Sequence, residues 1–454
     1  MQPALRVAVV GSGPAAFYAA GRLLESEDPG VDVDMLERLP TPWGLVRLGV
    51  APDHPNLKTV SRAFEKIAAR PGFRFLGNVE VGKDVSHEEI AHVYDAVVYA
   101  NGAQTDRRLG IPGEDLPGSW AATELVAWYN GHPDYQDLSF DLTGTCAVVI
   151  GNGNVALDVA RMLALTREEL APTDATDASI AAIVSSGIRE IAVLGRRGPV
   201  QAAWTSTELQ EMGELAGAEV LVDPVDLELD DASDAELAAG SNIVQRNVEI
   251  LRGFAAREPS AKSRTVRLRF RVSPMAILGD GRVEAIEVAH NRLEPDEHGR
   301  VRAVPTDERE VIPCGIVFRS VGYHGIGLPG VPFDEASGTI PNDRGRVVDA
   351  SGAVIPGLYC AGWIKRGPTG VIGTNKKDAT ETADLLLEDA RAGRLPATSS
   401  GSIDDLLTEH DVEVVTYAGW EAIDAVEKAA GADEGRPRVK LCTWDDLLAA
   451  ARSA

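Results

Sequence analysis

Two glycine-rich strings, Gly11-Ser12-Gly13-Pro14-Ala15-Ala16 and Gly151-Asn152-Gly153-Asn154-Val155-Ala156, have the residue types and spacing that bring a dinucleotide pyrophosphate onto polypeptide backbone. The first glycine of each permits a tight turn, and the second lets the pyrophosphate approach the backbone and the N-terminus of a following helix. The third small residue, Ala16 or Ala156, allows close helix packing. The charge at the end of the next strand separates the two ligands. Glu37 ends the strand after the first string, somewhat beyond the usual position about 20 residues on, where a carboxylate hydrogen-bonds an unphosphorylated ribose diol. Arg196-Arg197 stands in the corresponding place after the second, where guanidinium forks match a 2′-phosphate, and no acidic residue comes after them until Glu208. The first string therefore suits FAD and the second NADP. Glu208 suits a ribose hydroxyl, and Arg107 a phosphate, of the second nucleotide. A solvated strand-end charge at Glu37 and a plain surface pair at Arg196-Arg197 are the structural alternatives.

Two further stretches bear on the first ligand. The Pro/Gly-rich run from Pro40 to Pro55 is unsuited to helix or central strand, and its apolar and aromatic content suits a cover over a planar group. The segment from Trp363 to Gly373 reads as a glycine-rich helix N-terminus, which brings N–H groups to a flavin edge where negative charge develops on reduction. Ordinary helix capping is the alternative there.

The elements that must hold these residues are legible as alternating apolar strands and helices. Each string comes after an apolar run, Val7 to Val10 and Ala147 to Ile150, and opens a helix-like stretch. Residues 5–37 read as strand, turn, helix and strand. A strand pair is predicted around Phe73 to Val81, a strand at Ala96 to Ala100, and a linker at Leu109 to Asp115. The second unit starts at Thr145 and returns through Glu190 to Leu194; its excess length, Thr166 to Ser186, is Ala/Thr/Asp-rich and predicts an elongated helix end plus loop. Strands are expected at Val266 to Val272, Val283 to Ala289 and Val311 to Ser320. A buried strand ending at Trp363 then leads back to the first unit, with a helix from about Asn375 to Ala390, a linker at Ala397 to Ser402 and a mostly helical, amphipathic tail beyond it. The fold class is α/β: two Rossmann-like dinucleotide-binding domains with parallel sheets, the NADP domain inserted into the FAD domain. Residues 1–105 and 329–454 form the two parts of the FAD domain and residues 106–328 the NADP domain.

A chain of 454 residues exceeds what one core usually supports. Its formal charge of −25 makes nucleic acid and acidic membrane surfaces poor partners, and no apolar stretch is long enough to insert into a membrane. Cys146, Cys314, Cys360 and Cys442 show neither metal-ligand nor Cys-x-x-Cys spacing, so no metal is expected and a reducing cytoplasm fits. The fold begins about five residues in, which leaves no room for a removable presequence.

The most specific strings are Thr41-Pro42-Trp43-Gly44-Leu45-Val46-Arg47, Ala51-Pro52-Asp53-His54-Pro55, the second glycine string continued to Arg161, Gly195-Arg196-Arg197-Gly198-Pro199, and the run from Gly362 to Asn375. In these the chain resembles the adrenodoxin reductase family, including its bacterial ferredoxin-NADP reductase members of the glutathione-reductase-like type, from about Arg6 to Ala390. The resemblance implies an enzyme that takes a hydride from NADPH onto FAD and passes single electrons to a ferredoxin-type iron–sulfur protein. It implies FAD contacts at Glu37, Leu45, Val81, Trp363, Gly370, Val371 and Ile372, beside Gly11, Gly13, Ala15 and Ala16. It implies NADP contacts at Arg107, Asn152, Gly153, Asn154, Val155, Arg196, Arg197, Glu208 and Gly370, with His54 and Glu211 as the active-site pair near the nicotinamide. The lengthened 166–186 region departs from the family and is expected to affect only surface contacts.

The partner turns on charge. Arg246, Arg252, Arg257, Lys262, Arg264, Arg267, Arg269 and Arg271 stand against only Glu249 and Glu258, a positive segment able to attract an acidic electron carrier, with Arg267, Arg269 and Arg271 expected on one strand face. A merely solvated strand is the alternative. Three rival activities are distinguishable: disulfide reduction, which needs a paired dithiol; an NADPH-dependent oxidase or monooxygenase without a protein carrier; and a nucleotide-dependent redox sensor.

Overall fold

The computed structural model describes residues 4–454 except 259, 298, 299, 371 and 397–400, so part of the Ala397 to Ser402 linker lies outside the described residues. The apolar runs form strands buried on both faces, as crossover connections on a parallel sheet require. A seven-stranded sheet runs in the order Asn342–Asp343, Arg346–Val348, Val354–Cys360, Ala96–Tyr99, Leu5–Val10, Val31–Glu37 and Phe73–Gly77. Its last five strands are parallel. A second sheet, parallel throughout, has the order Ser119–Ala121, Ile316–Arg319, Cys146–Ile150, Glu190–Leu194, Arg264–Arg269 and Ala218–Val222. The second sheet thus lies in the chain between two contributions to the first. Both glycine strings leave the carboxyl ends of central strands, the crevice where open α/β sheets bind ligands.

Several expected elements differ. The pair around Phe73 to Val81 is one edge strand, Phe73–Gly77, parallel to Val31–Glu37, and Val81 makes only an isolated bridge to Val85. The run Val266 to Val272 divides: Arg264–Arg269 is a parallel strand, Arg271 takes φ 56, and Val272–Leu278 opens a three-stranded antiparallel sheet with Ala285–Pro295 and Val301–Pro313. That left-handed turn removes Arg271 from the face shared by Arg267 and Arg269. Val311 to Ser320 divides likewise, between the antiparallel sheet and the parallel strand Ile316–Arg319.

The 166–186 region holds two short helices, Arg167–Leu170 and Asp177–Val184, capped by Thr166 and Thr176. It is no surface excursion. Asp174, between them, accepts Lys58 Nζ at 2.6 and 2.8 Å and lies 3.3 Å from Lys440 of the tail. Lys440 also donates to Asn130 Oδ1 at 3.2 Å and the Arg47 carbonyl at 3.4 Å. Burial pulls Lys440 down to about 7. Burial alone would raise Asp174, but Lys440 and Lys58 outweigh it and hold it below the usual carboxylate range.

The tail folds across both units. Its helix Tyr417–Glu434 sets Trp420 edge-on to Trp43 at 4.8 Å. Fully buried Glu427 accepts both terminal nitrogens of Arg47, one at 2.9 Å, together with Arg438 Nη1 and the Leu441 N–H at 2.9 Å each. Burial raises the Glu427 pKa, but Arg47 and Arg438 prevail and leave it below its ordinary value of 4.5. A depressed carboxylate contributes stability above its unfolded pKa that is lost as pH falls through the folded one. Glu427→Gln is therefore expected to lower stability at pH 7 by about 3 kcal/mol, the scale for breaking one side of a buried ion pair. Urea midpoints measured from pH 7 down to 3 check this: the gap from the unsubstituted chain narrows below roughly pH 4.

Candidate active site

The first phosphate turn is shaped by two different demands for glycine. Gly11 has φ 100, and a Cβ on it would lie 2.7 Å from the Ala100 carbonyl oxygen, so the fold itself excludes a side chain. Gly13 has φ −74, and a Cβ there would meet no atom within 4 Å. Nothing in the polypeptide calls for glycine at that point; the space stands open before the helix Pro14–Leu23, which has no side-chain cap. Ala15 and Ala16 are buried, and a Cβ on Gly362 would come within 2.6 Å of the Ala15 methyl. Glu37 accepts the Ser12 hydroxyl at 2.6 Å and the Leu39 N–H at 3.0 Å; burial raises its pKa while these bonds act in the opposite sense.

The Pro40 to Pro55 run closes over this turn. Trp43 (φ 86) donates its N–H to the Ser12 carbonyl at 3.0 Å, and Gly44 (φ 50) passes so close that a Cβ would sit 3.1 Å from Gly13 Cα. Half-exposed Leu45 begins the short helix Leu45–Leu48, and Val81 is buried. Trp363 opens the helix Trp363–Arg366 and lies against Tyr323 with ring centroids 5.2 Å apart. The indole Nε1 atoms of Trp43 and Trp363 and the Asn101 Oδ1 are buried without a hydrogen-bond partner among the described residues. Gly370 has φ 80 just ahead of the long helix Ile372–Arg391, while Val371 lies outside the described residues.

The second turn repeats the division of labour. A Cβ on Gly151 would lie 2.1 Å from the Ser320 carbonyl oxygen, whereas one on Gly153 (φ −116) would meet nothing within 4 Å. Asn152 packs its amide against Gly195, and its carbonyl accepts the Ala203 N–H at 2.9 Å. Asn154 Oδ1 accepts the Thr205 N–H at 2.9 Å, and Val155 packs on the core. Exposed Arg196 and Arg197 line a cavity of about 790 Å³ whose far wall is the hairpin of the antiparallel sheet, with Arg300 and Arg302 beside Asp296 and Glu297. Partial desolvation and then the adjacent Arg196 lower the Arg197 pKa, an arrangement that an anion between them relieves. Exposed Arg107 stands apart from this cavity, beside the two-stranded ribbon Thr105–Asp106 and Tyr323–His324, where its N–H donates to the Gly322 carbonyl at 2.9 Å.

Between the two turns lies a charged cluster that unites His54 with Glu208 and Glu211. His54 Nε2 is 2.8 Å from Glu211 Oε2, and Nδ1 is 3.6 Å from Glu208 Oε1. Buried Arg161 anchors the group: Nε and Nη2 donate to Asp53 at 2.6 and 3.2 Å, Nη2 to Asp158 at 2.7 Å, and Nη1 to Glu208 at 3.2 Å. Burial raises the pKa of Asp158 and of Glu208; for Asp53, Arg161 outweighs burial and lowers it. Atoms of His54, Glu208 and Glu211 lie within 4.8 Å of one another, the spacing of metal ligands, but the Arg161 guanidinium 3.3 Å from His54 Nδ1 repels a second cation. Asp53, Asp158 and Arg161 fall within the specific strings of the sequence, which alone gives them no role. The i,i+3 pair Asp158 and Arg161 on the helix opened by the second glycine string is the local signal that marks them.

The basic segment is largely engaged within the chain. Buried Arg264 donates to the Leu163 and Leu165 carbonyls, Arg269 pairs with Glu310 at 2.7 Å, and Arg267 lies 3.3 Å from Glu190. Arg271 donates to the Val225 and Glu228 carbonyls, and Lys262 to Ala218.

Residues 5–191 match the family described as pyridine nucleotide-disulphide oxidoreductase. NADPH-ferredoxin reductase FprA of Mycobacterium tuberculosis is 51% identical, covering 97% of this chain and 98% of the relative. The mitochondrial NADPH:adrenodoxin oxidoreductase of Arabidopsis thaliana is 42% identical over 98% of this chain and 95% of that one. The chain belongs to the adrenodoxin reductase family. The solved Mycobacterium tuberculosis FprA in complex with NADPH is 49% identical and superposes with a TM-score of 0.94, over 99% of this chain and 100% of that one. All four cysteines are free, and burial raises the Cys146, Cys314, Cys360 and Cys442 thiol pKa values. No helix among the described residues is long and apolar enough to cross a membrane.

The open faces of Gly13 and Gly153 and the unpartnered indole nitrogens fit two dinucleotides. Gly13→Ala and Gly153→Ala are accordingly expected to leave circular dichroism unchanged while weakening FAD retention and NADPH binding respectively, each by at least about 10-fold. Gly151→Ala, which drives a methyl into backbone, is expected to impair folding itself. Cofactor-release absorbance and NADPH titration distinguish the three.

Proposed function

We infer that the protein is an FAD-dependent ferredoxin-NADP(+) reductase that moves a hydride from NADPH to FAD and then single electrons to a ferredoxin-type iron–sulfur protein. The observation that carries this reading is the pair of glycine cradles left open by the polypeptide, each on the parallel part of its sheet, the two sheets joined by the Asp53–Arg161 contact. When bound, the flavin supplies the conversion between two-electron and one-electron chemistry, and the protein supplies alignment and electrostatics. Glu37, held by Ser12 and Leu39, receives a ribose diol that bears no phosphate. Gly11, Gly13, Ala15 and Ala16 admit the FAD pyrophosphate to a helix N-terminus. Leu45, Val81, Trp363 and Gly370 enclose the flavin; the contacts expected of Val371 and of the Ile372 side chain lie outside the described residues. Asn152, Gly153, Asn154 and Val155 form the NADP turn, Arg196 and Arg197 take the 2′-phosphate, Glu208 a ribose hydroxyl and Arg107 a second phosphate. His54 and Glu211 orient the nicotinamide.

The division into 1–105, 106–328 and 329–454 is supported by the order in which the chain visits the two sheets. Four free thiols support a reducing cytoplasm. Docking of an acidic carrier on residues 246–271 rests on the exposed members Arg246, Arg252 and Arg257, of which Arg246 lies 3.6 Å from Glu249 and Arg257 donates to the Gly213 carbonyl.

Mixing the purified protein with NADPH and a panel of ferredoxins, and recording flavin bleaching and carrier reduction separately, tests the reaction; bleaching without reduction of any carrier would favour an oxidase. Replacing both Arg196 and Arg197 by Ala is expected to raise the KM for NADPH roughly 10- to 100-fold and leave that for NADH nearly unchanged, the scale for charge-assisted hydrogen bonds. Carrier reduction is expected to slow as salt rises; a flat profile would rule out the docking segment.

A further inference from the structure

We propose that Arg161 is a positioning residue that holds His54 as the neutral imidazole with its proton on Nε2, across the junction between the two nucleotide-binding units. Arg161 lies on the helix Asn154–Ala164 of the second unit, and Asp53-His54 comes from a loop of the first. A guanidinium only donates hydrogen bonds. Of the two N–H groups on Arg161 Nη2, one goes to Asp158 at 2.7 Å and the other is shared between Asp53 Oδ1 at 3.2 Å and His54 Nδ1 at 3.3 Å, so Nδ1 faces a donor hydrogen and presents its lone pair, and the ring proton sits on Nε2 and is donated to Glu211 at 2.8 Å.

Carboxylates surround the ring. Facing it are Asp53 on its own loop, Asp158 on the Arg161 helix, and Glu208 and Glu211 on the helix Ser206–Met212; buried Tyr129 and Tyr323 stand near Asp158 and carry no charge. Against these carboxylates the balancing cation is Arg161, which pairs with Asp53, Asp158 and Glu208 at once. Its Nε and Nη2 hold both oxygens of Asp53, which fixes the loop, while the same Nη2 occupies the proton-accepting side of His54. Without it, Nδ1 would face Glu208 at 3.6 Å and take up a second proton. The resulting imidazolium would oppose the positive charge that develops on a nicotinamide as hydride leaves. This last consequence rests on the reading of His54 as the group beside the nicotinamide; the tautomer does not.

The test is nitrogen-edited NMR of the histidine side chains in the FAD-loaded protein at pH 7, with His54→Ala assigning the signal, alongside single-turnover flavin reduction by NADPH as a function of pH. The unsubstituted protein is expected to show His54 protonated at Nε2 alone, and Arg161→Gln to show both nitrogens protonated. Arg161→Gln is expected to slow reduction roughly 10- to 100-fold at pH 7, the scale of a misplaced catalytic contact, with the loss recovered as pH rises. In a His54→Ala background the same substitution is expected to add less than about 2-fold, because coupled residues are not additive. Should Arg161→Gln fail to fold, Arg161→Lys keeps a cation beside Asp53 but is one bond too short to reach Nδ1, and is expected to give the same NMR change. A proton on Nδ1 in the unsubstituted protein, an unaltered His54 signal in the folded variant, or losses that multiply in the double variant would overturn the proposal. Failure of NADPH to bleach the unsubstituted flavoprotein would instead refute the proposed function and leave the tautomer measurement standing.

Discussion

Charge withdrawn from water must be matched, and the seam between the two sheets is built around that requirement. Buried ions cost several kcal/mol each unless opposite charge and hydrogen bonds surround them. Three groups meet the condition: Asp53 with Arg161, Asp174 with Lys58 and Lys440, and Glu427 with Arg47 and Arg438. Each joins segments distant in sequence. The hydrophobic cores make two units; the Asp53 and Asp174 groups join one to the other, and the Glu427 group ties the tail to the first.

That orientation places the glycine turns on either side of the His54 cluster. Each turn separates what the fold demands from what a ligand demands. Gly11 and Gly151 are dictated by backbone approach, whereas Gly13 and Gly153 face open space. The electrostatic difference between the two sites comes from single strand ends: one carboxylate already oriented by a hydroxyl and a backbone N–H, against two adjacent guanidiniums lining an open cavity.

Much of this is legible from local pattern. Apolar β-branched runs, glycine spacing and strand-end charge identify both parallel sheets and the phosphate turns because each depends on neighbours in sequence. The features that escape depend on partners far along the chain. Arg161 and Asp53 are separated by the whole crossover between the units, and nothing local shows that they meet. The basic segment reads as a continuous positive strip, yet Glu310 and Glu190 pair two of its arginines, and backbone carbonyls hold Arg264, Arg271 and Lys262. The break at Arg271 is hidden because alternation continues through a residue whose positive φ turns the chain out of the sheet.

The tail that begins near Ser402 has an evolutionary consequence. Its carboxylate at Glu427 and its ammonium at Lys440 complete ion groups whose other members sit at Arg47, Lys58 and Asp174. A lineage that shortened the tail would leave Arg47 without its carboxylate, while Lys58 and Asp174 would still hold each other, so loss of the appendage and replacement of Arg47 by a neutral residue should arise together.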